Sequence, residues 1–178
     1  VDIGIVIEEG DVAKIRHINI VGNESFDEDE LREDFESGTK NDWAGLYFWQ
    51  GRPNYTREKL SGDLERLRAF YLDRGYVDFA IESTQVSVSP DRTNIYITAN
   101  VREGDVYSVS DVQLTGDMVF DPATLENFVA LDPGETFSRE KVEQTVDNIT
   151  ALLANFGYAF ANVNPVPRID REEKTVDL

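Results

Sequence analysis

One histidine, His17, and no cysteine stand among the 178 residues, so a metal site would have to be built from carboxylates. The densest acidic run, Asp27 to Glu36, has neither the ligand spacing nor the internal glycine of a calcium loop. It reads as the solvated face of a short helix. His17 lies beside Ile18 in a strand pattern and reads as a solvent-facing residue. No phosphate-cradling glycine loop, dinucleotide fingerprint or G-x-S-x-G elbow occurs. Metal ligation, cofactors and catalytic residues are therefore not expected. The residue types point instead to binding through backbone and apolar surface. Ala80, Ile81, Glu82, Ser83, Thr84, Gln85, Val86, Ser87 and Val88 form a β-rich stretch without proline or lysine and with a single acid. Sheet edges normally carry such blocking residues, and an edge without them can take up an extended chain as a further strand. A second concentration, Trp43, Leu46, Tyr47, Phe48 and Trp49, falls in a loop pattern. It either folds back onto a core or forms an exposed contact patch.

Composition narrows the class of partner. The formal net charge is −18. A surface of that sign cannot neutralise phosphates, so nucleic acid is excluded and a bare anionic membrane disfavoured. No small-molecule substrate is implied. No run approaches the ~20 apolar residues of a membrane helix. Hydrophobic content of 40% is that of a folded chain.

A repeat sets the elements that must position these residues. Val101-Arg102-Glu103-Gly104-Asp105-Val106 restates Ile7-Glu8-Glu9-Gly10-Asp11-Val12, 94 positions earlier. The alternation of Val1, Ile3, Ile5 and Ile7 matches Ile95, Ile97, Ala99 and Val101. Residues 1–10 are thus expected to be the last strand of a preceding copy. Residues 11–103 form one unit and 104–178 a second whose closing strand is truncated. Glu103, Gly104 and Asp105 are the expected interdomain joint, too short for a free coil.

Each unit predicts the order β-α-α-β-β. In the first, Ile15, Ile18 and Ile20 open a strand that ends at Gly22-Asn23. Asp27 with Glu30 has capping-box spacing, and Leu31 and Phe35 give the first helix its apolar stripe. Thr56 is the expected N-cap of the second helix. Leu60, Leu64, Leu67 and Tyr71 share one face of it, and Gly75 stops it. Gly62 implies either close backbone packing or a tolerated exposed site. Phe79 and Ile81 differ in parity from Val86 and Val88, and a bulge near Ser83-Thr84-Gln85 would bring all four to one buried face. Pro90 to Asn94 is the turn into the closing strand.

The second unit repeats this plan. Val112 and Leu114 match Ile18 and Ile20. Gly116 matches Gly22, and Phe120 matches Phe26. Asp121-Pro122 starts the first helix. Ser138 starts the second, at a shift of 82, so that the interhelix loop is twelve residues shorter. Val142, Val146, Ile149, Leu153 and Phe156 form its stripe. Gly157-Tyr158 matches Gly75-Tyr76, in each case a helix stop followed by a core aromatic. The fold class is α+β: two tandem units, each a three-stranded mixed sheet with its third strand central and two helices on one face.

Gly22-Asn23-Glu24-Ser25-Phe26, Tyr71-Leu72-Asp73-Arg74-Gly75-Tyr76 and Glu103-Gly104-Asp105 resemble the signatures of polypeptide-transport-associated (POTRA) domains. The chain is similar to the third and fourth such domains of the outer-membrane protein assembly factors. The resemblance implies a periplasmic scaffold at the outer membrane of a Gram-negative bacterium. It implies a C-terminal β-barrel outside this chain, and unfolded outer-membrane proteins and accessory assembly lipoproteins as partners. Two alternatives are the POTRA array of a related secretion or assembly transporter with other cargo, and a small hydrolase on a ferredoxin-like sheet.

Overall fold

The computed structural model describes residues 14–33, 35, 56–116 and 119–178. The expected strand in residues 1–10 and the loop cluster Trp43, Leu46, Tyr47, Phe48 and Trp49 lie outside the described residues. Contacts group the described residues up to Leu67 with Ile81–Arg102, and Arg68–Ala80 with Glu103–Leu178.

The first unit holds a sheet of strands β1 (Lys14–Val21), β3 (Asn94–Arg102) and β2 (Ala80–Val88), in that order. β1 runs parallel to β3, with Ile18 opposite Ile97 and Ile20 opposite Ala99. Along β3 the residues Ile95, Ile97, Ala99 and Val101 are buried and the residues between them are not. This alternation gives the sheet one core face. Ile15, Ile18 and Ile20 meet it from β1, and Leu60 and Leu67 are buried on helix α2 (Arg57–Leu72). His17 is exposed, as its place on β1 requires.

Local signals decide the ends of the elements. The N–H of Lys59 donates to Thr56 Oγ1 at 3.2 Å, which caps α2. After α2 the N–H of Tyr76 donates to the Tyr71 carbonyl at 3.0 Å across Gly75, whose φ is +89°. Gly22 has φ +97°, and a Cβ there would lie 2.2 Å from the Val101 carbonyl oxygen, so the close approach of β3 excludes a side chain. Among the described residues Gly62 has only an arginine tip, at 3.8 Å, near its missing Cβ. Close packing against a described backbone is therefore not its reason.

Helix α1 (Glu28–Leu31) corrects one expectation. Asp27 occupies the N-cap position but its side chain makes no capping bond. Glu28 is used instead: its Oε1 accepts the N–H of Ile20 at 2.7 Å, tying the helix start to β1. The stripe of α2 is also narrower than expected. Leu67 is 1% exposed while Leu64 is half-buried, and the fully buried neighbour is Asp63, which accepts from Arg66 at 2.8 Å.

The second unit repeats the topology in shorter strands: β4 (Ser108–Asp111), β6 (Thr175–Asp177) and β5 (Arg168–Asp170), with β6 central. β6 is parallel to β4 and antiparallel to β5. Asp121 caps α3 (Pro122–Glu126) through the N–H of Ala123, and Ser138 caps α4 (Arg139–Asn155) through that of Lys141. Tyr107, Val109, Leu131, Phe137 and Val176 form the core, with Val77 and Val142 against it. Ile149 is buried, whereas Val146 and Leu153 are half-buried.

Val112 matches Ile18 as expected: it stands opposite Leu178, whose N–H bonds Asp111 O and whose carbonyl accepts from Gln113, and it packs against the core. Three expectations fail here. Leu114 lies beyond the end of β4. Phe156 is the C-cap of α4 and is exposed, its ring edge on Phe120 at 4.9 Å. Tyr158 is exposed, unlike the half-buried Tyr76.

Candidate functional site

β2 has β3 on one side and, among the described residues, no strand on the other. From Glu82 to Val88 every residue is exposed. The side chains that tie β2 to β3 reveal its geometry. Ser83 Oγ accepts from Asn100 Nδ2 at 2.8 Å, and Glu82 Oε1 from Arg102 Nε at 3.2 Å. Ser87 Oγ lies 3.5 Å from the Tyr96 carbonyl oxygen. Rising numbers on β2 meet falling numbers on β3, so the pair is antiparallel. Asn100 and Arg102 both belong to the outward face of β3. Consecutive residues Glu82 and Ser83 therefore share one face, as a bulge would place them.

The parity change expected near Ser83 thus falls at Glu82/Ser83 and turns Val86 and Val88 to the core side. The expected burial does not follow. Val86 is 43% exposed and Val88 54%. Among the described residues the buried positions of this sheet lie along β1 and β3, and none lies on β2. Tyr96, on the opposite face, is 44% exposed.

The turn fixes which backbone groups are free to bind. The N–H of Ser89 donates to Asn94 O at 2.9 Å, so it points toward β3. By alternation the N–H of Ser87 also points inward, and those of Val88 and Val86 point to the open side. Asp91 locks the turn. Its carboxylate accepts from the hydroxyl of Ser89, from Thr93 Oγ1 at 2.8 Å and from the N–H of Thr93 at 3.2 Å. The Ser89 and Thr93 hydroxyls hold its pKa below the ordinary value. The charge at this edge is neutralised, because the one acid, Glu82, is paired with Arg102.

The expected joint residues belong to the second compact unit. Glu103 is buried and its Oε1 accepts from Tyr71 Oη at 2.7 Å, while the Tyr71 ring stacks on Phe79 at 4.2 Å. Gly104 has φ +79°, and a Cβ there would lie 3.1 Å from Asp78 Cβ. Asp105 pairs with Lys174 at 2.8 Å. Nearby, Tyr107 Oη donates to Asp78 Oδ2 at 2.7 Å, and that bond raises the phenol's pKa. These residues are structural partners within the second compact unit. Sequence reasoning missed Asp63 and Tyr107, since nothing in residue type alone marks an acid or a tyrosine as buried. Among the described residues no cluster of histidine and carboxylate groups could hold a metal ion.

The family model for POTRA, described as surface antigen variable number repeat, matches residues 13–104 and 107–178. The outer membrane protein assembly factor BamA of Buchnera aphidicola is 31% identical over 178 residues, covering 100% of this chain and 28% of that protein. BamA of Neisseria meningitidis is 32% identical over 180 residues, covering 100% of this chain and 22% of that protein. The chain thus spans about a quarter of the length of these relatives. The crystal structure of Haemophilus influenzae BamA POTRA3-5 superposes with a TM-score of 0.76 at 29% identity, covering 98% of this chain and 67% of that one.

Proposed function

The chain belongs to the POTRA family, and on that premise we propose that it is part of the periplasmic scaffold of the outer-membrane β-barrel assembly machinery, receiving unfolded chains along the open side of β2. It is a non-catalytic region. The observation that carries the reading is the unguarded edge: nine residues, no proline or lysine, a neutralised acid, and two half-exposed valines on the core side of the strand. An incoming β-strand would complete main-chain bonds at Val86 and Val88 and lay its own apolar residues beside those valines. Main-chain bonding is indifferent to sequence, which suits a receiver of many different β-rich clients. Accessory lipoproteins of the machinery are the second class of partner. The whole protein acts at the outer membrane with these modules on the periplasmic side.

Val86→Pro and Ser87→Pro test the reading. Val86→Pro removes an outward donor and leaves the ladder to β3, so helices and core should persist while a labelled, unfolded β-barrel segment binds less. Ser87→Pro removes an inward donor and should loosen β2 itself. Undiminished binding by a well-folded Val86→Pro variant would overturn the proposal.

A further inference from the structure

Each three-stranded sheet has two outer strands, β1 and β2 in the first unit and β4 and β5 in the second. Among the described residues, every one of these edges except β2 carries a guard, and each guard is of a different kind. On β1 the N–H of Ile20 donates to Glu28 Oε1 at 2.7 Å, and the carbonyl of Ile18 accepts from Arg32 Nη1 at 2.9 Å. Glu28 and Arg32 are themselves paired at 3.4 Å. An extended chain could bond β1 there only by displacing both side chains. On β4 the main chain is the guard. The N–H of Val109 donates to the Glu135 carbonyl at 2.8 Å, and its carbonyl accepts from the N–H of Gly134 at 2.7 Å. The Tyr107 carbonyl accepts from the N–H of Phe137 at 2.9 Å. The backbone from Gly134 to Phe137 thus already lies along that edge, as an added strand would.

β5 is the counterpart of β2, and register decides what it offers. The carbonyl of Lys174 accepts from Ser108, and Leu178 bonds Asp111 and Gln113, so alternate residues of β6 point toward β4. Thr175 and Asp177 therefore face β5, opposite Asp170 and Arg168. The backbone of Ile169, between those two, points to the open side. By alternation the next outward places upstream are 167 and 165, and both hold proline, Pro167 and Pro165. Ile169 stands opposite Val176, which stands opposite Val109. In the same way Val88 neighbours Ile95, which stands opposite Ile15. Pro167 and Pro165 thus occupy the places of Val86 and Thr84. Where β2 presents outward N–H groups, its counterpart has none to present.

We infer that Pro165 and Pro167 determine which unit receives a strand. They bar addition along β5 and, with the closures of β1 and β4, leave β2 as the single receiving edge, so that the chain takes up one extended segment at a time. The inference rests on the reading of β2 as that edge. A proline in an outward place withholds the donor and turns its ring toward the incoming backbone. Two of them at alternate positions remove successive bonds from the same ladder.

Pro165→Thr combined with Pro167→Val copies β2 into β5. With an excess of the labelled, unfolded β-barrel segment, the amides at positions 165, 167 and 169 of this variant should exchange about tenfold or more slowly than without it. A second segment should bind per chain. In the unaltered chain Val86 and Val88 should gain protection and Ile169 should not. Thr84→Pro, which copies Pro165 into β2, should weaken binding about two- to tenfold, the worth of a lost hydrogen bond. Protection at Ile169 in the unaltered chain would overturn the inference, as would the absence of new protection at β5 in a double variant whose β6 amides exchange normally. A segment that leaves Val86 and Val88 unprotected in the unaltered chain would instead overturn the reading of β2. Gained protection at β5 in the double variant would even then uphold the role of the prolines.

Discussion

Gly22→Ala and Gly116→Ala should differ in cost, although sequence alignment of the two units makes them equivalent. Both residues lie at positive φ, where an L side chain costs ~1–2 kcal/mol. Loss of glycine's freedom in the unfolded chain returns about 0.4–1 kcal/mol at both. The remaining term separates them. At Gly22 the new methyl would sit 2.2 Å from a backbone carbonyl of the central strand, which cannot rotate away as a side chain can. Relieving that contact displaces β3 from β1, an overpacking cost of about 1–3 kcal/mol. At Gly116 the methyl meets nothing within 4 Å. Gly22→Ala should therefore destabilise the first unit by about 2–4 kcal/mol, and Gly116→Ala the second by about 1 kcal/mol. The assay is native-state hydrogen exchange in low urea, read on amides of β3 and of β6. Equal losses in the two units would refute the reasoning.

Other outcomes follow from single contacts. Leu67→Ala should destabilise the first unit by ~2–5 kcal/mol in a urea titration, because the side chain is 1% exposed. Gly62→Ala should stabilise α2 by up to ~1 kcal/mol, raising the midpoint of thermal unfolding, since among the described residues the added methyl meets only the tip of Arg66, at 3.8 Å. Glu135 has its carboxyl held below the ordinary 4.5, first by the bond from Lys141 and then by the N–H of Asp132. Its folded pKa is depressed, so the stability it contributes is present above 4.5 and lost as pH falls through the folded value. Urea titrations across the acid range should show wild type and Lys141→Met differing near neutral pH and converging below that value.

Element order, the central third strand and the helix caps at Thr56, Asp121 and Ser138 were legible because each rests on local chemistry: alternation, a hydroxyl or carboxylate two or three residues ahead of the N–H it caps, a glycine past the last turn. The same local logic failed at Asp27, where Glu28 gained more by accepting a strand N–H than Asp27 did by capping. It failed again at Val86 and Val88. Parity put them on the core side correctly, but parity cannot tell how far the packing of a sheet extends along its edge. Leu114 and Tyr158 read as strand and core by repeat, but Leu114 lies past the end of β4 and Tyr158 is exposed, and a repeat in residue types does not specify either outcome. Asp63 shows the converse: a carboxylate at 0% exposure is admitted by Arg66 one helical turn away.

Residue-resolved amide exchange along β2, with and without an excess of an unfolded, β-rich outer-membrane protein segment, tests the central claim most directly. Strand addition predicts new protection at Val86 and Val88, whose N–H groups face outward, with Gln85 and Ser87 little changed because they already bond β3. Protection confined to other elements, or spread evenly over the chain without the alternation at Val86 and Val88, would contradict it.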